Sequence, residues 1–427
     1  MLKRQLDMIQ LYRKLAIIAL ALVVGGGVGQ AGPGDGIAIG SFVFSPYLEL
    51  TGAYDSNVYK DRDDEIDDTF FEPELGLRFS SSLETNLFSI RGNVFYSDRR
   101  YSSEDNRDFD SYGDSLDARW GGNKTLLQLI QSYRSLDEND RHAADLESSP
   151  LATDLVEDSN TLDLQREIHQ VGALISRRMS DKLELGLSYR YFAVFYDDEA
   201  NDRLGPGTLV VPNGLDLDEH GLQLDGALKL TDKTDLTLTL RQSRQTQEST
   251  DDAADSTVAR LGLQSQGTQK LVYHAGAGLE RYQRPLDTDD ETEWFFNFNV
   301  GADWYITEKL TLRCGGYNGA QFSAFYTQNA LEYISGWVGL GYRWKPSTIF
   351  SVRGVYRVDD YLDPVTHEGV TRDRKDERIE GHARMDYIVP GNFLRFHLQF
   401  SYDEVDSNFD FTDYVDKRVV MGATICY

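Results

Sequence analysis

The chain has 427 residues, and 43 Lys+Arg against 70 Asp+Glu leave a formal net charge of −27. The absence of repeated apolar runs of about 20 residues excludes a helical membrane protein, and the negative sign disfavours nucleic-acid binding. An aromatic load of 24 Tyr, 21 Phe and 5 Trp excludes wholesale disorder, and two Cys exclude a disulfide scaffold.

The chain opens with the bases Lys3, Arg4, Arg13 and Lys14, an unbroken apolar run over 15–24, and a small-residue site at Gly29-Gln30-Ala31. Charged head, short apolar core and small-residue cleavage site make a secretory signal peptide. The alternative, an uncleaved anchor helix, has too short a run for a span. Residues 1–31 are therefore expected to be a signal and 32–427 one domain. Removing four bases and Asp7 gives a mature charge of 39 − 69 = −30.

Beyond Ser41 apolar residues recur at every second position. Leu183, Leu185, Leu187, Tyr189 and Tyr191 alternate with Glu184, Gly186, Ser188 and Arg190; Leu236, Leu238 and Leu240 alternate with Thr237, Thr239 and Arg241. The same holds for Trp294 to Trp304 and for Leu394 to Tyr402. Period two marks strands, and runs this long match the roughly 9–11 residues that cross a bilayer as a tilted strand. Tight turns fall at 83–85, 121–124, 180–182, 231–233, 266–269, 307–309, 345–347 and 390–392. Long acidic stretches lie between them, at 56–68, 136–157, 197–216 and 285–291. Eight turns with both termini on their side predict nine long loops and about 18 strands. The fold class is therefore all-β: a transmembrane antiparallel up-and-down β-barrel with short periplasmic turns and long extracellular loops. Val419, Met421, Ala423, Ile425 and Tyr427 alternate with Val420, Gly422, Thr424 and Cys426, which resembles the terminal-strand signal of the outer-membrane assembly machinery, the alternative being an ordinary edge strand. Trp120, Trp294, Trp304, Trp337 and Trp344 suit interfacial girdles. Cys314 is expected outward and Cys426 inward, too divergent for a disulfide.

Residues 45–77 carry Pro46-Tyr47-Leu48, then Tyr54-Asp55-Ser56-Asn57-Val58-Tyr59, an acidic stretch, and Glu72-Pro73-Glu74-Leu75. This resembles the opening of the β-barrel porin-2 family, outer-membrane proteins associated with exopolysaccharide export. The resemblance implies passage of a polysaccharide across the outer membrane and carries over no catalytic residue.

If the apolar alternation marks the lipid face, Arg78, Arg91, Arg119, Arg190, Arg241, Arg313, Arg353, Arg357, Arg384 and Arg395 line the lumen. Glu72, Glu74, Glu184, Asp225, Asp303, Glu380 and Asp386 share that face. The densest group is Arg353, Arg357, Arg384 and Arg395 with His397 on three neighbouring strands. Either a net-positive constriction guides an anionic chain, or these residues pair with the acids and stiffen the wall.

Asp61, Asp63, Asp64, Glu65, Asp67 and Asp68 crowd one loop, and Asp287, Asp289, Asp290 and Glu291 another. They read as solvated loops or as divalent-cation bridges to phosphorylated surface lipid, and their spacing names no metal ligand. Gly113-Asp114-Ser115-Leu116 spells a hydrolase motif, but Ser115 falls inside a strand-like run without a partner histidine block. No enzyme activity, catalytic residue, metal or cofactor is expected.

The expected function is export or surface assembly of a polysaccharide in the outer membrane of a Gram-negative cell envelope. The alternatives are passive diffusion of small solutes and a structural or adhesive barrel. Expected partners are outer-membrane lipid and lipopolysaccharide, the barrel-assembly machinery, the polysaccharide and periplasmic export components. Nucleic acid is not among them.

Overall fold

The computed structural model describes residues 34–60, 65–82, 87–104, 107–136, 166–196, 216–247, 252–285, 290–322, 330–367, 370–408 and 413–427. The signal segment, most of the loops over 136–157 and 197–216, and the turn 83–85 lie outside them.

Eighteen strands form the wall. The first six are β1 (Phe42–Asp55), β2 (Asp68–Ser82), β3 (Phe88–Tyr101), β4 (Phe109–Gly121), β5 (Thr125–Leu136) and β6 (Arg166–Arg178). Then come β7 (Leu183–Tyr196), β8 (Leu217–Lys229), β9 (Thr234–Gln247), β10 (Asp252–Thr268), β11 (Leu271–Pro285) and β12 (Asp290–Tyr305). The last six are β13 (Leu310–Phe322), β14 (Ala330–Lys345), β15 (Thr348–Tyr361), β16 (Lys375–Ile388), β17 (Leu394–Ser407) and β18 (Tyr414–Cys426). Each pairs antiparallel with its chain neighbours, and β18 returns to β1, from Tyr47 opposite Cys426 to Asp55 opposite Arg418. The sheet is thus a closed barrel with no free edge, the only sheet form that leaves no backbone polar group unpaired in hydrocarbon. A short strand, Ile37–Ile39, adds to the start of β1.

The alternation read from the sequence sets the two faces. On β17, Phe396, Leu398 and Phe400 are exposed while His397 and Ser401 are buried. On β18, Val419, Met421 and Ile425 are exposed while Asp416, Arg418 and Thr424 are buried. Exposed aliphatic and aromatic side chains on one parity of the strands other than β13 make an apolar outer belt, and the charged parity faces the lumen. Trp120, Trp294, Trp304 and Trp344 lie on the outer parity. Trp337 does not belong to that girdle. On β14 the outward parity is that of Ile334, Val338, Leu340, Tyr342 and Trp344, so Trp337 faces inward, with Arg353 stacked over its ring. Cys314 is exposed on the outer parity, and Cys426 sits on the inner one.

The wall is not a uniform cylinder. β12 pairs with β13 only from Asn299 opposite Tyr317 to Tyr305 opposite Thr311. Its other ladder, with β11, continues to Pro285 opposite Asp290, and β13 stays paired with β14 as far as Phe322 opposite Ala330. Beyond this fork the β13–β14 hairpin leans into the lumen. Ala320 and Ala330, on the outward parity of the hairpin, pack with Tyr282 and Ala254, which face inward on β11 and β10. Phe295, Leu217 and Leu362 complete the cluster. Asn318 closes the fork: its side-chain oxygen accepts the Phe298 N–H at 2.8 Å, and its amide nitrogen donates to the Phe296 carbonyl at 2.5 Å. A side chain thereby replaces two ladder partners that the departing strand withdraws.

Candidate functional site

The lumen is the candidate site, and its two halves differ. Toward the long loops, inward charges are buried in pairs. Arg418 donates to Asp55 at 2.7 Å across the β18–β1 closure. Arg99 donates to Glu72 at 2.8 Å, with its guanidinium over the Phe70 ring. Arg374, wholly buried, donates to Asp376 at 2.6 Å and stacks on Tyr361. Arg378 is shared between Asp403 and Glu380, and Arg284 on β11 bonds to Asp363 of the segment after β15. That last pair ties the leaning hairpin's neighbour to the opposite side of the fork. Behind the hairpin, Glu280 accepts from Ser256 at 2.6 Å and from Asn297 at 3.0 Å.

Toward the short turns the same residue types are open. The Arg91 side chain is 64% exposed and Arg313 60%. Arg91 and Arg119 both bind Asp117, at 2.7 and 3.0 Å, and Arg313 stands 3.6 Å from Asp303.

Glycines let large side chains lie flat against this half of the wall. A Cβ on Gly422 would stand 2.3 Å from the His397 ring, and one on Gly301 would stand 2.4 Å from that of His274. The Tyr47 ring occupies the same kind of space at Gly76, donates to Glu74 at 2.6 Å and carries Arg78 on its face. Rings that cover glycines lie along the wall rather than across the lumen.

The five residues singled out from the sequence fall on the inner parity of β15, β16 and β17, which are neighbours. They do not share a level. Counting from the short-turn ends, Arg395 is the second residue of β17, Arg384 the fifth of β16, and Arg353 and Arg357 the sixth and tenth of β15. Arg357 is buried and bonds to Asp359 at 2.5 Å. Arg384 holds Asp386 at 3.0 Å, and His397 is buried 3.9 Å from Glu49. Arg395 is exposed. Arg190 on β7 binds Glu219, which also accepts from Gln245 at 3.1 Å. The sequence places Arg313 in the lumen but does not single out Asn318 or the apolar cluster. The clue for Asn318 is a polar residue standing on a lipid-facing parity.

Two other sequence features are placed plainly. Ser115 of the hydrolase-like tetrapeptide is a mid-strand residue of β4, opposite Asn93 and Ser132. Asp68 of the acidic loop accepts the N–H groups of Thr69, Ser103 and Glu104 at 2.7, 2.9 and 2.9 Å, so its carboxylate orders the neighbouring loop. Asp61, Asp63, Asp64, Asp287 and Asp289 lie outside the described residues. Among the described residues no group of three or more His, Cys, Asp or Glu is placed to hold a metal ion.

No protein-family model matches the chain, so the resemblance of residues 45–77 to the β-barrel porin-2 family finds no support there. No curated protein matches it either. Among solved structures it is similar to OpdK of Pseudomonas aeruginosa, crystallised with vanillate, at 14% identity and a TM-score of 0.46 over 90% of this chain and 99% of that one. It is also similar to a BenF-like porin of Pseudomonas fluorescens, at 12% identity and 0.47 over 90% and 99%. A third is OccAB4 of Acinetobacter baumannii, at 14% and 0.46 over 90% and 98%. Likeness of this degree concerns barrel architecture and transfers no residue role.

Proposed function

We propose that the chain is an outer-membrane channel for passive diffusion of small hydrophilic solutes, delivered across the inner membrane by the signal at 1–31. The observation that carries this is the wall itself: apolar outside and charged inside, with exposed charges toward the short turns and the β13–β14 hairpin leaning into the lumen at the other end. The outer belt meets lipid and, toward the long loops, lipopolysaccharide. The terminal strand is the element offered to the barrel-assembly machinery. In the lumen, Arg91, Arg313 and Arg395 are exposed charges that a solute passes near the short turns, while Arg353, Arg357, Arg384 and His397 shape the wall. Export of a polysaccharide is the weaker reading, because a hairpin that leans into the lumen opposes a bulky polymer.

Reconstitution in planar bilayers and liposomes tests the proposal. Stepwise conductance and swelling by small sugars or amino acids are expected. Folded barrel that gives neither refutes a diffusion channel. A deletion strain is expected to keep normal surface polysaccharide, and loss of that polymer would restore the export reading.

A further inference from the structure

We propose that the short-turn rim is a lysine collar that binds the phosphate headgroups of an anionic glycerophospholipid, such as phosphatidylglycerol. Ten lysines follow residue 31, and six of them, Lys124, Lys182, Lys233, Lys270, Lys309 and Lys345, stand at successive short turns from β4–β5 to β14–β15. All six are exposed.

Four of these turns are built alike. Ser180, Thr231, Thr268 and Thr307 each accept, on the side-chain oxygen, the backbone N–H of the lysine two residues on, at 3.3, 3.2, 3.1 and 3.2 Å. A hydroxyl that caps the turn fixes the lysine at the same place in each. Three of the turns also put an apolar residue just before the hydroxyl: Met179, Leu230 and Ile306. Met179 and Leu230 are more than half exposed. Apolar side chain, capped turn and lysine in that order suit a bilayer boundary, where the first meets acyl chain and the last reaches phosphate. Trp120, Trp304 and Trp344 are exposed on the outer parity beside these turns, and Lys345 lies 4.8 Å over the Trp344 ring.

Acids are present but fewer: Asp181, Asp232 and Glu308 share three of the turns, and Asp232 is held by Lys229 at 2.9 Å. The acidic long-loop end lies beyond an apolar belt of about 25 Å, more than two screening lengths of about 8–10 Å, so it does not cancel the rim's field. The lysines run along twelve of the eighteen strands, two thirds of the way around, which suits an encircling leaflet, whereas a single docked protein would need them on one side. The inference rests on the bilayer reading and adds a lipid class to it.

The test takes the full mature chain in nanodiscs of phosphatidylcholine with a minority of phosphatidylglycerol. Native mass spectrometry of the extracted complex is expected to show phosphatidylglycerol retained several-fold over phosphatidylcholine. A variant with all six lysines changed to Gln (Lys124→Gln, Lys182→Gln and so on) is expected to lose that preference, and the matching Lys→Arg variant to keep it. Should the sixfold variant fold poorly, Lys182→Gln with Lys233→Gln and a high-salt wash of the unaltered protein give the same reading at smaller amplitude. Equal retention of both lipids by the unaltered protein overturns the proposal, as does a preference that survives the Gln changes. Inorganic phosphate that strips the lipid at millimolar concentration overturns it too, since the rim then takes free phosphate. Conductance of the Gln variant in phosphatidylcholine is expected to be unchanged, which separates failure of the collar from failure of the channel.

Discussion

Arg418 and Arg313 are the same residue on the same inner face, and the barrel uses them differently. Arg418 is buried against Asp55 in the long-loop half; Arg313 is largely exposed in the short-turn half, loosely facing Asp303. Taking a guanidinium and a carboxylate out of water is costly, and only their mutual hydrogen bonds repay it, so neither partner can be removed cheaply. A solvated pair contributes little to stability and leaves its charge available to the channel. Burial, not residue type, therefore decides which arginines are structural and which stay open to the lumen.

The sharpest way to break this contrast is Arg418→Ala. It strands the Asp55 carboxylate in the wall and is expected to cost about 3–5 kcal/mol, read as a lower denaturation midpoint in detergent and loss of heat-modifiable migration. Gly422→Val is next. The new side chain collides with the His397 ring, and the expected cost is about 2–3 kcal/mol, with a smaller single-channel conductance as the ring is driven into the bore. Asn318→Ala removes the amide that fills the fork and is expected to cost about 1–2 kcal/mol, with noisier conductance because the hairpin loses its anchor. Arg313→Gln is the mildest in stability, about 0–1 kcal/mol. Its effect belongs in the reversal potential under a salt gradient, which should move toward cations, further still with Arg395→Gln. A large stability loss there would erase the distinction between the two halves.

The strand count and the inner set of arginines were legible because period two survives averaging over a whole strand. Trp337 was misread because β14 carries apolar residues on both parities, Leu331 and Trp337 as well as Ile334 and Val338, so an aromatic there has no evident side. The fork was not legible either. Ala320, Ala330 and Glu332 look ordinary until Asn318 and Glu332 are seen to occupy lipid-facing parities, which a strand leaning into water tolerates and one facing lipid does not. Rings lying over glycines depend on cross-strand register, which no single strand states. The levels of Arg353, Arg357, Arg384 and Arg395 depend on it too, so adjacency of strands was readable and adjacency of side chains was not.

Asp55 and Arg418 are separated by 363 residues along the chain, yet they face one another directly in the finished wall. During biogenesis the first strand of the wall is therefore made with a carboxylate whose counterion arrives only with the eighteenth strand. Closure between strands so far apart in sequence is slow. The final strand acts as a latch. Its arrival seals the seam and neutralises the stranded acid in one event, so a truncated or stalled chain keeps a charged, unpaired margin and stays a target for proteolysis.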